Sequence, residues 1–269
     1  MDDLIQIESL EVAFPVRSGF FSRIKQYNTV LRNISINLPR GKTVGLVGES
    51  GSGKTTLGRS ILGLIPVRSG TITYNRNGNL IPLHQISKSE FRLLRKELQI
   101  VFQDPYSSLN PKMKIRDLLT EPLKYHFPAL SRSERIQKCE ETLSLTGLSS
   151  GALDRYPHEF SGGQRQRISI ARAVILKPEF IVLDECVSAL DVSIQAQIIN
   201  LLLKLQEELN LTYLFISHDI SVVRHLSHSI AVIHNGEIVE NGESVNLTKS
   251  PEHEYTKRLI ASVPEIEFS

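Results

Sequence analysis

The stretch Gly48-Glu49-Ser50-Gly51-Ser52-Gly53-Lys54-Thr55 fits the pattern G-x-x-x-x-G-K-[ST] at every fixed position. Glycines let the backbone curl tightly, so that successive N–H groups point at phosphate oxygens. In this pattern the lysine reaches the β- and γ-phosphates and the threonine hydroxyl ligates Mg²⁺. An apolar run, Thr43–Val47, precedes the stretch, and a helical pattern with its N-terminus towards the anion follows it. The stretch therefore predicts a nucleotide-binding loop between a strand and a helix.

Composition limits the classes of protein to which the chain can belong. Its 269 residues are 41% hydrophobic and 22% charged, which is ordinary for a globular protein. A net charge of +2 indicates no large basic surface for nucleic acid. Two cysteines are too few for a disulfide framework or a four-thiolate metal site, which favours a reducing compartment. The N-terminus is acidic, and no run approaches the roughly 20 apolar residues of a spanning helix. We therefore expect a soluble protein that reaches any membrane through a partner.

The pattern of apolar and polar residues changes along the chain and divides it into segments. The first forty residues predict strands on either side of a loop from Pro15 to Asn28, and the region from Ile115 to about Leu148 predicts helices broken at Pro122 and Pro128. From Ser161 helix and strand alternate, as a parallel sheet requires. We expect four segments: the N-terminal β subdomain with the phosphate-loop part of the core (1–87), a helical subdomain (88–160), the rest of the core (161–240) and a tail (241–269).

Polar side chains follow two buried strands of the predicted sheet. Asp184 and Glu185 come directly after Phe180–Leu183, at the strand end where open α/β sheets bind ligands. Asp184 suits the acidic residue of a Mg²⁺ shell, and Glu185 suits a general base for water. His218 ends another apolar strand and could contact the γ-phosphate. The alternative for Asp184 and Glu185 is that they cap the next turn, and the alternative for His218 is a purely structural role.

Two further features fit nucleotide chemistry. Gln103 follows a short strand, and its neutral amide could ligate Mg²⁺ or the lytic water, although a polar strand cap is equally consistent. Ser161–Gln164 opens a helix with a hydroxyl and two glycine N–H groups, which is a second anion-binding arrangement. Since one triphosphate does not need two such sites in one chain, this one would cover a nucleotide held by another chain. A plain N-cap is the alternative.

Taken together, these motifs resemble the ATP-binding cassette of an ABC transporter. The phosphate loop and Asp184-Glu185 look like the two Walker motifs, Ser161–Gln164 like the signature, and Ser188–Asp191 like the D-loop, while Gln103 and His218 match the Q-loop and switch histidine. The resemblance implies an α/β fold: a P-loop NTPase (RecA-like) core with an antiparallel β subdomain and an inserted α-helical subdomain. It also implies hydrolysis of ATP with Mg²⁺ by two cassettes closed head to tail.

The resemblance also assigns roles to residues. Catalysis falls to Glu185, His218 and Gln103, and Mg²⁺ binding to Thr55, Gln103 and Asp184. The adenine-stacking aromatic is Phe14, which matches the usual position, or Tyr27, which lies beyond an insertion. The nucleotide-binding residues implied are Gly48, Glu49, Ser50, Gly51, Ser52, Gly53, Lys54, Thr55, Thr56, Phe14, Tyr27, Ser161, Gly162, Gly163, Gln164 and Asp191.

Finer features are similar to the peptide and nickel import branch: Phe102–Pro111, Val187–Ala196, and the tail Ser250–Lys257 with Ser262–Pro264. That branch implies a second, non-identical ATP-binding subunit, two integral membrane permease subunits and an extracytoplasmic solute-binding protein, with no nucleic acid. The chain would then lie at the cytoplasmic face of the inner membrane and drive uptake of oligopeptides or dipeptides. The alternatives are import of nickel or another metal chelate, and a soluble ABC ATPase of DNA repair or translation.

Two positions depart from the family pattern. Phe160 replaces the usual leucine before the signature serine, an apolar exchange that should preserve packing. Cys186 stands where proline commonly follows the catalytic glutamate, which could loosen that turn without removing Glu185.

Overall fold

The computed structural model describes residues 2–18 and 23–261 and contains two compact units. The first unit consists of the described residues up to Phe91 and from Thr212 onward, and the second is Arg92–Leu211. Within the described ranges, no helix has the length and apolar character needed to cross a membrane.

The strands are β1 (Asp3–Ser18), β2 (Arg23–Pro39), β3 (Thr43–Val47), β4 (Ser69–Arg76), β5 (Asn79–Pro82), β6 (Leu98–Val101), β7 (Phe180–Asp184), β8 (Thr212–Ser217), β9 (Ser229–His234) and β10 (Glu237–Glu243). The α-helices are α1 (Lys54–Ile61), α2 (Lys88–Leu94), α3 (Pro105–Ser108), α4 (Ile115–His126), α5 (Arg132–Leu145), α6 (Gly162–Val174), α7 (Val192–Leu209), α8 (Ile220–Leu226), α9 (Ser244–Lys249) and α10 (Glu254–Ala261). Two 3₁₀ turns cover Ser150–Asp154 and Pro157–Glu159.

An antiparallel sheet of order β2-β1-β4-β5 lies in the first unit. Its strands β1 and β2 pair as far out as Ser18 and Arg23, so the predicted loop from Pro15 to Asn28 is wrong over its described part; residues 19–22 lie outside the described ranges. The pairing of β1 with β4 ends at Glu11, so that beyond this residue one edge of β1 has no strand neighbour in the part of the chain that the structure describes. Pro15, which has no N–H to donate, is therefore compatible with the strand.

A second sheet of the first unit carries the predicted nucleotide loop. Strand β3 pairs in parallel with β8 and β9, and β9 pairs antiparallel with β10 across the turn Asn235-Gly236. The structure confirms the strand predicted at Thr43–Val47 and the apolar strand predicted before His218, which are β3 and β8. All five residues of β3 and all six of β8 are buried. Burial on both faces of the sheet therefore holds these two strands in place, and with them the points at which the following loops begin.

The second unit combines the parallel pair β6–β7 with packed helices. Its apolar core includes Leu118, Leu119 and Leu123 of α4, each at most 1% exposed. The expected helix break at Pro122 is wrong, because α4 continues through this proline to His126. A helix-interior proline costs on the order of 3 kcal/mol, and burial of the leucines on either side offsets that cost. The break expected at Pro128 is confirmed, since α4 ends before it.

Candidate functional site

The phosphate loop joins β3 to α1, as the sequence predicted. Two of its glycines are required by the space and backbone geometry. A Cβ at Gly48 would lie 2.1 Å from the carbonyl oxygen of Ile233. Gly53 has φ 109°, in the left-handed region that glycine favours, and a Cβ there would lie 2.6 Å from Leu31 Cδ2. The loop is therefore pressed against neighbouring strands in a shape that side chains at these positions would prevent.

Lys54 is the first residue of α1, and its side chain, only 4% exposed, extends back over this loop. Its ammonium donates hydrogen bonds to the carbonyl oxygens of Gly48, at 2.7 Å, and Glu49, at 2.8 Å. The loop also contains a buried hydroxyl oxygen, Ser52 Oγ, that has no hydrogen-bond partner among the described residues. Buried polar atoms are rarely left unpaired. A buried cation and a buried hydroxyl donor in one glycine-rich loop are the groups that a phosphate chain would need.

His218 lies near this loop because of the strand register. Val47, the last residue of β3, is paired with Ser217, the last residue of β8, so the residues after both strands leave the same sheet edge. His218 is exposed there. The next residue, Asp219, is the N-cap of α8 and accepts a hydrogen bond from Ser221 N at 2.9 Å, which fixes the direction of the chain after the histidine.

The register of β1 with β2 separates the two candidate adenine-stacking aromatics. Directly opposed residues of an antiparallel pair share a face, and Val12 is paired with Leu31, the side chain that borders Gly53. The pairing has a β-bulge just after Val12, where the register shifts between Val12 and Ala13, and the extra residue of this bulge lies in β2. Side chains of β1 therefore still alternate between the two faces, and Phe14 lies on the face of Val12 and Leu31. Phe14 is 39% exposed on the face that borders the phosphate loop.

Tyr27 lies on the opposite face of the same hairpin, because it is paired with Pro15. The guanidinium of Arg68 lies 5.0 Å from the centre of the Tyr27 ring. The same guanidinium forms an ion pair with the carboxylate of Glu11, with Nη1 and Oε1 3.0 Å apart. Glu11 and Pro15 are an even number of residues apart in β1 and share this face. Tyr27 is therefore occupied by a cation–π contact away from the loop.

In the second unit, Asp184 ends β7 and is 4% exposed, and Glu185 follows it. Val101 of β6 is paired with Leu183 of β7, so Gln103 and Glu185, each two residues further on, leave the same edge. Gln103 Nε2 donates a hydrogen bond to Glu185 Oε2 at 3.0 Å. The structure thus brings together two of the residues predicted to act on the nucleotide.

Glu185 has φ 49°, in the left-handed region that a residue with a side chain rarely occupies. Its turn is closed by two donors to its carbonyl oxygen, Ser188 N at 3.2 Å and Ser188 Oγ at 2.9 Å. Cys186 is 1% exposed, and burial raises the pKa of its thiol to about 12. The thiol is therefore neutral at physiological pH and adds no charge beside the two carboxylates.

The predicted second anion site begins α6. Ser161 Oγ accepts a hydrogen bond from Gln164 N at 3.3 Å, and Gln164 Oε1 accepts one from Ser161 N at 3.0 Å. This is a capping box, so the N-cap alternative describes what these side chains do within the chain. A Cβ at Gly163 would lie 2.6 Å from Ile194 Cγ2, which explains that glycine by close helix packing. Asp191 is the exposed N-cap residue of α7.

One contact of the phosphate loop was missed by sequence reasoning. Tyr255, in α10, accepts a hydrogen bond from Glu49 N at 3.0 Å through its hydroxyl oxygen. The two residues are 206 positions apart, and no spacing rule links a tail tyrosine to a glycine-rich loop. The similarity of Ser250–Lys257 to the peptide and nickel import branch was the sequence feature that pointed to this part of the tail. The second half of that tail feature, Ser262–Pro264, lies outside the described residues.

Comparisons with known proteins agree with this geometry. The family model described as "ABC transporter" matches residues 31–188. The chain is 43% identical over 272 residues to the oligopeptide transport ATP-binding protein OppF of Lactococcus lactis subsp. lactis (strain IL1403), covering 100% of this chain and 83% of that protein.

Two solved structures have the same fold. CbiO1 from Clostridium perfringens, part of the ABC transporter complex cbiONQ, matches with a TM-score of 0.78 and 25% identity over 93% of this chain and 92% of that one. The dimeric post-hydrolysis state of the ATP-binding cassette MJ0796, bound to ADP and Pi, matches with a TM-score of 0.76 and 27% identity over 89% of this chain and 98% of that one. The expected P-loop NTPase fold is confirmed, and the chain belongs to the ABC transporter family as an ATP-binding, ATP-hydrolysing cassette.

Proposed function

We propose that this cassette hydrolyses Mg·ATP as a peripheral subunit of a membrane importer for oligopeptides or dipeptides. The observation that carries the proposal is the phosphate loop, in which a buried lysine is held across the loop at the end of a parallel strand. The name of the OppF relative, 43% identical over the whole chain, favours peptides over nickel or another chelate.

The residues have distinct roles in this proposal. Lys54 and the loop N–H groups, from Gly48 to Thr56, bind the phosphates. Glu185 accepts the proton of the attacking water, and His218 contacts the γ-phosphate. Thr55, Asp184 and Gln103 offer hydroxyl, carboxylate and amide oxygens, the donor types that Mg²⁺ prefers. When bound, Mg²⁺ would neutralise charge that develops on the phosphates.

The proposal includes a second cassette. Ser161–Gln164 and Asp191 would face the nucleotide held by that partner, and the N-terminus of the 13-residue helix α6 supplies N–H groups towards it. MJ0796 forms a dimer of cassettes, and cbiO1 is part of a larger transporter complex. From the similarity of Phe102–Pro111, Val187–Ala196 and Ser250–Lys257 to the peptide and nickel import branch, we infer a non-identical second ATPase, two permease subunits and a solute-binding protein, with this chain at the cytoplasmic face of the inner membrane.

The experiment is uptake in cells that lack their own oligopeptide importer. The affinity-tagged chain is expressed together with the membrane subunits encoded by adjacent genes. Uptake of a labelled tripeptide and of nickel is then measured. Wild-type protein is expected to co-purify with permeases from solubilised membranes and to restore peptide uptake, whereas Glu185→Gln co-purifies without restoring it. Nickel uptake without peptide uptake, or co-purification of ribosomes or DNA in place of permeases, contradicts the proposed cargo or class.

The two aromatics give a prediction within this function. Phe14→Ala is expected to raise the Kd for the non-hydrolysable ATP analogue AMP-PNP about tenfold, because stacking of a base on an aromatic ring contributes about 1–3 kcal/mol. Tyr27→Ala, on the opposite face of the hairpin, is expected to change the Kd less than about twofold. Isothermal titration of the two variants measures the difference. The reverse order of effects would assign adenine stacking to Tyr27.

A further inference from the structure

The C-terminal helix α10 contacts the phosphate loop through one side chain. Tyr255 is 4% exposed, and its hydroxyl oxygen accepts the hydrogen bond from Glu49 N at 3.0 Å. The carbonyl oxygen of the same residue, Glu49, accepts a hydrogen bond from Lys54 Nζ at 2.8 Å. The backbone of Glu49 is therefore held at both ends, by the tail at its N–H and by the phosphate-binding lysine at its carbonyl.

Several contacts fix the position of Tyr255. Its ring stacks on His234 of β9, with ring centres 3.9 Å apart. Its own N–H donates to His253 Nδ1 at 3.1 Å. The Glu240 carboxylate of β10 accepts hydrogen bonds from Glu252 N at 2.9 Å and His253 N at 3.0 Å, which anchors the chain just before α10. Burial raises the pKa of the Tyr255 phenol, so the hydroxyl is neutral at physiological pH.

We propose that Tyr255 is a positioning residue for nucleotide binding, through which the C-terminal tail preorganises the phosphate loop. The inference rests on the proposed function, because it concerns the affinity of that loop for ATP. Glu49 N–H and the Gly48 carbonyl belong to the same planar peptide group, and that carbonyl accepts a hydrogen bond from Lys54 Nζ at 2.7 Å. Without the tyrosine hydroxyl this peptide group is less constrained, and the carbonyl that orients Lys54 moves with it. ATP binding must then order the loop, and that cost appears as lower affinity.

The size of the effect follows from the loss of one hydrogen bond. A neutral hydrogen bond contributes about 0.5–1.5 kcal/mol, so we expect the Kd for AMP-PNP to rise about threefold to tenfold. Tyr255 touches no reacting atom, and the maximal hydrolysis rate is expected to stay within about twofold of wild type. The expected signature is a raised KM for ATP with kcat preserved.

The test is Tyr255→Phe, which keeps the ring on His234 and removes the hydroxyl. AMP-PNP Kd is measured by titration, and amide hydrogen exchange of residues 48–53 by mass spectrometry of the nucleotide-free protein. We expect a raised Kd and faster exchange in the loop. Lys257→Ala is the matched control, because this residue of α10 pairs with exposed Glu254 at 2.7 Å; it is expected to behave as wild type.

A second variant weakens the contact between Tyr255 and Glu49 without changing either residue. Glu240→Ala removes the acceptor of two amides at the start of the tail, and we expect it to raise the Kd in the same direction as Tyr255→Phe. A purely structural role would lower the melting temperature of these variants and leave the AMP-PNP Kd and KM unchanged. A wild-type Kd in Tyr255→Phe, or an equal rise in Lys257→Ala, overturns the inference.

Measurements on Lys54→Ala and Tyr255→Phe distinguish failure of the nucleotide site from failure of the role of Tyr255. If wild-type protein binds AMP-PNP and Lys54→Ala does not, the nucleotide site stands, and an unchanged Kd in Tyr255→Phe removes only the role of the tail. If the wild-type protein shows no saturable binding of AMP-PNP, the proposed function fails, and the inference fails with it.

Discussion

Lys54→Ala is expected to weaken AMP-PNP binding by about two orders of magnitude or more. Hydrogen bonds that involve a charged group contribute about 1.5–3 kcal/mol each, and the ammonium is the buried cation of the loop. It also donates hydrogen bonds to the carbonyl oxygens of Gly48 and Glu49, so its removal also loosens the loop. Both effects lower affinity. Isothermal titration and the rate of phosphate release measure the loss.

The matched control is Lys204→Ala. Lys204 is an exposed lysine of α7 that pairs with Glu208 at 3.6 Å on the helix surface, so its loss is expected to leave both binding and turnover unchanged. Circular dichroism checks that Lys54→Ala remains folded. Binding of AMP-PNP by folded Lys54→Ala with wild-type affinity would remove Lys54 from the phosphate site.

Glu185→Gln is expected to bind ATP with near wild-type affinity and to lose hydrolysis by a factor of about 100 or more. A positioned general base contributes about 10²–10⁴ to a rate, and an amide cannot accept the proton of water. The exchange is isosteric, and the glutamine oxygen can still accept the hydrogen bond from Gln103 Nε2. Binding and turnover should therefore separate in this variant.

The same variant tests the dimer. Because hydrolysis no longer removes the shared triphosphate, Glu185→Gln should accumulate as a closed pair of cassettes at saturating Mg·ATP. Light scattering and crosslinking, with the companion ATPase added, measure this state. Glu207→Gln, an exposed acid of α7, serves as the control and should hydrolyse ATP normally. Monomers at every ATP concentration would contradict the predicted covering of the nucleotide by Ser161–Gln164.

Much of the site could be predicted because it depends on local sequence. The phosphate loop needs glycines at particular positions, and a buried run such as Thr43–Val47 identifies the strand before it. Parallel strands end at one sheet edge, which is why residues after β3 and β8, or after β6 and β7, could be grouped without coordinates. The roles of these residues, and the division of the chain into four segments, stay predictions.

The rest depends on long-range packing that no local pattern encodes. The extension of β1 through Pro15 required knowing that β4 ends its pairing at Glu11. The continuation of α4 through Pro122 depends on the core that surrounds its leucines. The faces of Phe14 and Tyr27 follow from bulges in β2, which shift the register. A contact between Tyr255 and Glu49 joins distant parts of the sequence.

The backbone of Glu185 has an evolutionary consequence. Its φ of 49° suits glycine or asparagine, and relief of such strain stabilises a fold by about 1 kcal/mol. The proposed role as general base requires a carboxylate at this position, whereas the backbone conformation favours a different residue. On the proposed role of Glu185 as general base, a lineage that no longer needed ATP turnover would gain stability by replacing this glutamate, and selection for hydrolysis would oppose that replacement.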